Sequence, residues 1–237
     1  MRTEAEVADY APDARAEYLD RCSVCHGLDV THECWEGYHQ ALRTYEACIP
    51  RDFWGYTPDD VVGNVEQFQQ IVLPYMDKLS RALRGGYGLL LLGDNGVGKT
   101  MFMCLVLMRA LSRGFSTYYT TLLDLDHNIK RGFNNTDIQD RLDWYLTSDF
   151  VAFDELGKEQ FKAGDSYIRT QVERVLKRRF EDSKPTLIAT NASMDELESM
   201  YGVTLTSVLV GKYQRVMFDP GDYREQMAAR MRREMGQ

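Results

Sequence analysis

The stretch LLLLGDNGVGKTMFM, beginning at Leu89, drives four leucines straight into a glycine-rich turn and out again into an apolar run. Gly93, Gly98, Lys99 and Thr100 satisfy the spacing G-x-x-x-x-G-K-T. The preceding YGLLLL reads as a strand buried on both faces, as in a parallel sheet. The following KTMFMCLVLMRALSR reads as a helix closed by Gly114. A flexible loop between a buried strand and a helix N-terminus is the setting that gives this spacing a physical meaning. Its glycines let backbone N–H groups turn toward a phosphate, and the helix end adds partial positive charge. The expected phosphate cradle is Gly93, Asp94, Asn95, Gly96, Val97, Gly98, Lys99, Thr100 and Met101. Lys99 is expected to reach the β- and γ-phosphates of a nucleotide, and Thr100 to ligate Mg²⁺.

Two further strands point to the same edge. SDFVAFDELG carries a short apolar run, Phe150 to Phe153, that ends in Asp154 and Glu155. Acids at the carboxyl end of a buried strand sit where ligands bind in parallel sheets. Asp154 suits a Mg²⁺ contact, direct or through a ligand, and Glu155 suits activation of the attacking water. PTLIATN ends in Thr190 and Asn191. Asn191 either holds the lytic water and senses the γ-phosphate or caps the helix that NASMDEL begins, and both roles can coexist.

The remaining chain alternates strand and helix. STYYTT is a strand, LLDLDHNIKRGF and DIQDRLDWYLT are helical, and a basic helix precedes PTLIATN. VEQFQQIVLPYMDKLSRALR is expected to be one helix bent at Pro74 and ended by Gly85 and Gly86. The helix TLTSVLVGKY, the short strand RVMF and a charged helix close the chain. This alternation implies a parallel sheet covered by helices on both faces. With 237 residues there is room for one such α/β domain and a small appendage.

The appendage is rich in Cys and His. Cys22 and Cys25 form a C-x-x-C knuckle, and His32 and Cys34 follow. Three thiolates and an imidazole would close a tetrahedral structural zinc site. His26 and His39 are rivals for the fourth position, and Cys48 reads as packing. The division expected is a zinc-binding element over residues 1–48 and a nucleotide-binding core over 49–237.

A net charge of −8 argues against a strongly basic nucleic-acid binder, so any such contact must be local. RTQVERVLKRRF, RMRRE and NIKRGFNN are basic stretches that suit solvated helix faces or local tracks. No apolar run approaches the roughly 20 residues that cross a membrane. The acidic N-terminus lacks the apolar stretch of a signal peptide, which gives a cytoplasmic reading.

Taken in order, these segments resemble the AAA+ helicase-loader family of the DnaC/DnaI type, bacterial or phage, and its IstB-like transposition kin. The Cys22, Cys25, His32, Cys34 set resembles the loaders' N-terminal Cys-rich element, with His32 in place of one Cys. CIPRDFW resembles the stretch before their ATPase core. GDNGVGKT, FVAFDELG and PTLIATN match their Walker A, Walker B and sensor 1 segments, and YGVTLTSVLVG…FDPGDYRE their C-terminal pattern.

The resemblance implies an ATPase that places a replicative hexameric helicase on single-stranded DNA and oligomerises when engaged. Its N-terminal element would contact the helicase. It also implies DNA contacts at Lys130, Arg131 and Phe133, and a phosphate contact by Arg224. Where the family carries an arginine finger this chain has Val208, which leaves Lys212, Arg215 or Arg224 to supply that charge. The IstB-like alternative is an ATPase that assists transposition.

Overall fold

The computed structural model describes residues 10, 13–125, 128, 143–157, 166–221, 223, 229 and 232. Five strands, β1 (Gly88–Leu92), β2 (Thr117–Thr121), β3 (Phe150–Leu156), β4 (Thr186–Thr190) and β5 (Tyr213–Met217), form one sheet in the order β2-β3-β4-β1-β5. Every pairing is parallel. The helices that matter below are α1 (Glu33–Glu46), α2 (Leu79–Gly85), α3 (Lys99–Ser112), α4 (Ser166–Glu181) and α5 (Met194–Lys212).

The leucine run sits in the middle of the sheet because both of its faces have apolar partners. Leu89 and Leu91 pack with Leu187, Ala189, Ala152 and Val216 against α3. Leu90 and Leu92 point the other way, with Ile188, Val151 and Phe153, toward Val172 and Leu176 of α4 and Leu205 and Leu209 of α5. The period of two thus divides one strand between two cores. Helix α3 is apolar nearly all round and is accordingly buried. Its outer side is covered by Ile49, Phe68, Val72, Tyr75, Met76 and Leu79.

Several boundaries differ from the sequence reading. The expected helix over 65–84 is interrupted at Lys78 (φ −109°, ψ 25°). Pro74 lacks an N–H and crowds the carbonyl four residues back, and a π-type turn, Phe68–Val72, lies just before it. The two helices expected around YGVTLTSV run on as α5, kinked at Gly202 (φ 80°, ψ 164°). Its N-cap is Ser193, which forms a capping box with Glu196, so Asn191 does not cap it. Strand β5 starts two residues earlier than RVMF suggests.

The basic stretch on α4 is only partly a solvated face. Arg179 is fully buried. Its guanidinium donates to the carbonyls of Tyr145 (2.9 Å), Ser148 (3.0 Å) and Pro185 (2.7 Å) and to Thr186 Oγ1 (3.0 Å). It ties the segments that lead into β3 and β4, and burial lowers its pKa to about 10.

Candidate functional site: a nucleotide cleft and a thiol–imidazole cluster

The phosphate loop leaves the C-terminal end of β1 and enters α3. Gly98 precedes the helix at φ +99°, a conformation that favours glycine. Gly93 lies against the exit of β5, where an added Cβ would stand 2.7 Å from Phe218 Cβ. The ammonium of Lys99 donates to Gly93 O (2.7 Å), Asp94 O (2.6 Å) and Asn191 Oδ1 (2.6 Å). Asn191 Nδ2 in turn donates to Asn95 Oδ1 (2.8 Å). Phosphate oxygens carry full charge and make stronger hydrogen bonds to an ammonium than these neutral acceptors do.

Asp154 is buried and heavily hydrogen-bonded. Its Oδ2 accepts from Thr100 Oγ1 (2.6 Å) and from the Tyr119 hydroxyl (2.9 Å), and its Oδ1 accepts from the Glu155 N–H (2.8 Å). Burial raises the pKa of Tyr119, and Asp154 raises it further, so the hydroxyl stays protonated and donating. Strand β3 does not stop at the acids. It runs to Leu156 through a register shift, since Phe153 faces Ile188 while Leu156 faces Thr190. Glu155 is the inserted residue and takes φ +64°, an uncommon conformation for a side chain of its size. The bulge lets two consecutive acids both serve one cleft, which strict alternation forbids.

That cleft has a volume of about 440 Å³, and Lys99, Thr100, Asp154, Glu155 and Asn191 all line it. Its other wall is Phe53, Tyr56, Val62, Gly63 and Tyr223, which sequence reasoning did not select. The cluster DFWGY just upstream of the core was the available signal. Asn64 was also missed. It is buried, donates to Val97 O (3.2 Å) and accepts from the Asp219 N–H (2.7 Å), joining the phosphate loop to the chain beyond β5. The Tyr223 N–H adds a second tie to Gly96 O (3.2 Å).

Arg224, Lys130, Arg131 and Phe133 lie outside the described residues. Val208 packs against the core on the α4/α5 side. Lys212 stands with its ammonium 4.4 Å from the Phe180 ring centroid. It precedes Tyr213, which pairs with the first residue of β1, whereas the phosphate loop follows the last. Lys212 therefore lies at the far end of the sheet from the cleft of its own chain. Arg215 is exposed on β5.

The second site is the thiol–imidazole cluster. The donor atoms of Cys22, Cys25, His32 and Cys34 all lie within 4.8 Å of one another. Cys22 Sγ is 3.7 Å from His32 Nδ1 and 3.8 Å from Cys25 Sγ, and Cys25 Sγ is 3.4 Å from Cys34 Sγ. A tetrahedron of roughly 2.3 Å zinc–sulfur bonds has edges of about 3.8 Å, so the set is already near a closed structural site. Backbone N–H groups of Cys25 and Val24 lower the Cys22 pKa to about 7, which favours a thiolate ligand. His32 caps α1 through the same Nδ1, which accepts the Cys34 N–H at 3.3 Å.

A phosphate loop, an acid pair on a bulged strand and an Asn at the end of the neighbouring strand, set on a five-stranded parallel sheet, define an ATP-binding protein of the AAA+ class. The chain belongs to the IstB-like ATP binding protein family, whose profile matches residues 83–215.

Among curated relatives it is 27% identical over 114 residues to the ATP-binding protein of insertion sequence IS5376 from Geobacillus stearothermophilus, covering 48% of this chain and 44% of that protein. It is 26% identical over 218 residues to the replicative helicase loader DnaI of Bacillus subtilis, covering 77% and 68%. It is 24% identical over 141 residues to the replicative helicase loader DnaC of Escherichia coli, covering 58% and 56%. The chain thus spans between about half and two thirds of these relatives' lengths. Among solved structures, the DnaC helicase loader superposes with a TM-score of 0.63 at 20% identity, covering 72% of this chain and 100% of that one. DnaI follows with 0.60 at 19%, covering 72% and 94%. At such identities these likenesses speak to the fold.

Proposed function

We propose that the protein is an ATPase that loads a replicative hexameric DNA helicase onto single-stranded DNA, acting in the cytoplasm and as a homo-oligomer when engaged. The observation that carries this reading is the pairing, in one chain, of a complete nucleotide cleft with a preassembled Cys22–Cys25–His32–Cys34 cluster. Similarity to a DnaI loader over most of the chain supports it.

In this reading Lys99 leaves its carbonyl acceptors for the β- and γ-phosphates. Thr100 and Asp154 are the residues that would hold Mg²⁺, a hydroxyl and a buried carboxylate suiting a hard cation. Mg²⁺ supplies charge neutralisation on the phosphates when bound. Glu155 takes a proton from the attacking water, Asn191 fixes that water or reads the γ-phosphate, and Phe53, Tyr56 and Tyr223 give the base an apolar wall. Arg224 contacts phosphate. Zinc would be held by the four-residue cluster, which anchors the helicase-binding element of residues 1–48. The boundary with the core at 49–237 is functional, since Ala47 and Ile49 both pack into the main core. Lys130, Arg131 and Phe133 contribute DNA contacts.

A second reading is an ATPase that assists transposition, favoured by the family profile and by the insertion-sequence relative. Capture experiments separate the two. Immobilised protein with ATP should retain a replicative helicase and not a transposase, and the reverse outcome would assign the chain to transposition.

A further inference from the structure

A second groove, of about 550 Å³, opens at the end of the sheet opposite the phosphate loop. Its floor includes Gly88 and Tyr213, the paired first residues of β1 and β5. Lys78, Arg81 and Lys212 line it, and among the described residues no acid does. Among the described residues none of the three cations is in an ion pair. On a chain of net charge −8, three uncompensated cations around one acid-free groove make a local field that draws a polyanion.

Tyr87 lines the same groove and is 49% exposed. Its ring is seated on Gly85. A Cβ added there would meet Cε2 most closely, with Cζ and Cδ2 at 2.6 and 2.7 Å. Near-equal distances to the two flanking carbons mean contact through the ring face, since an edge contact would leave both much farther off. The backbone of Tyr87 is fixed as well. Its N–H donates to Ala82 O (3.0 Å) and its carbonyl accepts from the Tyr75 hydroxyl (2.7 Å). A half-exposed aromatic ring backed by a glycine, on a fixed backbone and beside cations that make no ion pair among the described residues, is a stacking platform next to phosphate partners. A duplex keeps its base faces stacked inside, so only unpaired bases can use that ring.

We propose that Tyr87, with Lys78, Arg81 and Lys212, forms a single-stranded nucleic-acid contact separate from the ATP cleft. The inference deepens the loader reading and rests on it only for why the chain meets unpaired strands. The test uses the whole protein and a fluorescent oligo-dT of about 16 nucleotides, with no helicase present. Failure to capture a helicase would sink the loader reading and leave this measurement standing.

Tyr87→Ala should weaken oligo-dT binding roughly ten-fold, and Tyr87→Trp should retain it. The double variant Lys78→Ala/Arg81→Ala, which keeps Lys212, should flatten the dependence of log affinity on log salt by about 1.4. ATP-analogue binding at the other end of the sheet should stay unchanged in each, which reports an intact fold. Were Tyr87→Ala to lose ATP binding too, the double variant's salt slope would decide alone. Affinity and slope unchanged in the variants, duplex binding as tight as single-strand binding, or no oligo-dT binding by the wild type would each overturn the proposal.

Discussion

Lys99 and Glu155 share one cleft but should fail differently when altered. Lys99→Ala removes the point charge that faces the phosphates, so equilibrium binding of an ATP analogue should be lost. Glu155→Gln keeps the side chain's shape and removes the proton acceptor. It should bind the analogue normally and hydrolyse ATP about 10²–10³-fold more slowly. Turnover by Glu155→Gln at the wild-type rate would place the base elsewhere. The polar residues that line the cleft were legible because each sits in a short contiguous signal: Lys99 in a loop, Asp154 and Glu155 at the end of an apolar run, Asn191 at the end of another. Phe53, Asn64, Tyr119 and Tyr223 were not. Phe53 and Tyr223 line the cleft, and Asn64 and Tyr119 brace its lining at Val97 and Asp154; they come from four separate segments that only the tertiary fold brings together. Asn191 was open between capping and sensing, and the capping box at Ser193 frees its side chain for Lys99.

At the scale of elements, β3 and α4 show where local pattern falls short. A period of two cannot announce a bulge, because the inserted residue is defined by the partner strand's register. A run such as KRRF looks solvated until the loops around it supply acceptors, and at Arg179 they do. Truncating that side chain leaves several buried carbonyls without donors, each costing ~1–3 kcal/mol. Arg179→Ala should therefore lower unfolding stability by about 3 kcal/mol or more, read from denaturant curves. A loss near zero would mean the loops rearrange freely.

The thiol–imidazole cluster makes its own prediction. Purified protein should carry about one zinc per chain by elemental analysis. Cys22→Ser should impair helicase capture more than ATP hydrolysis, because none of the four cluster residues lines the cleft. Metal-free protein with full partner binding would remove zinc from the account.

For the whole molecule the open matter is how chains act on one another. The family resemblance sets Val208 where an arginine finger is expected, and a valine carries no charge to a neighbour's phosphate. ATP turnover should be weak and depend only modestly on protein concentration. Lys99→Ala subunits, which keep Lys212 and Arg215, mixed with Lys212→Ala/Arg215→Ala subunits identify any substitute. Strong rescue of hydrolysis would show one of these two working across an interface. Full activity of the double variant alone would eliminate both and leave Arg224.

ATP-dependent helicase loading is read from the amount of replicative helicase bound to a single-stranded DNA circle. The assay adds ATP with wild-type protein, Lys99→Ala or no loader. Wild-type protein should raise helicase occupancy well above the loader-free level, and Lys99→Ala should not. Equal occupancy in all three reactions would contradict ATP-dependent loading.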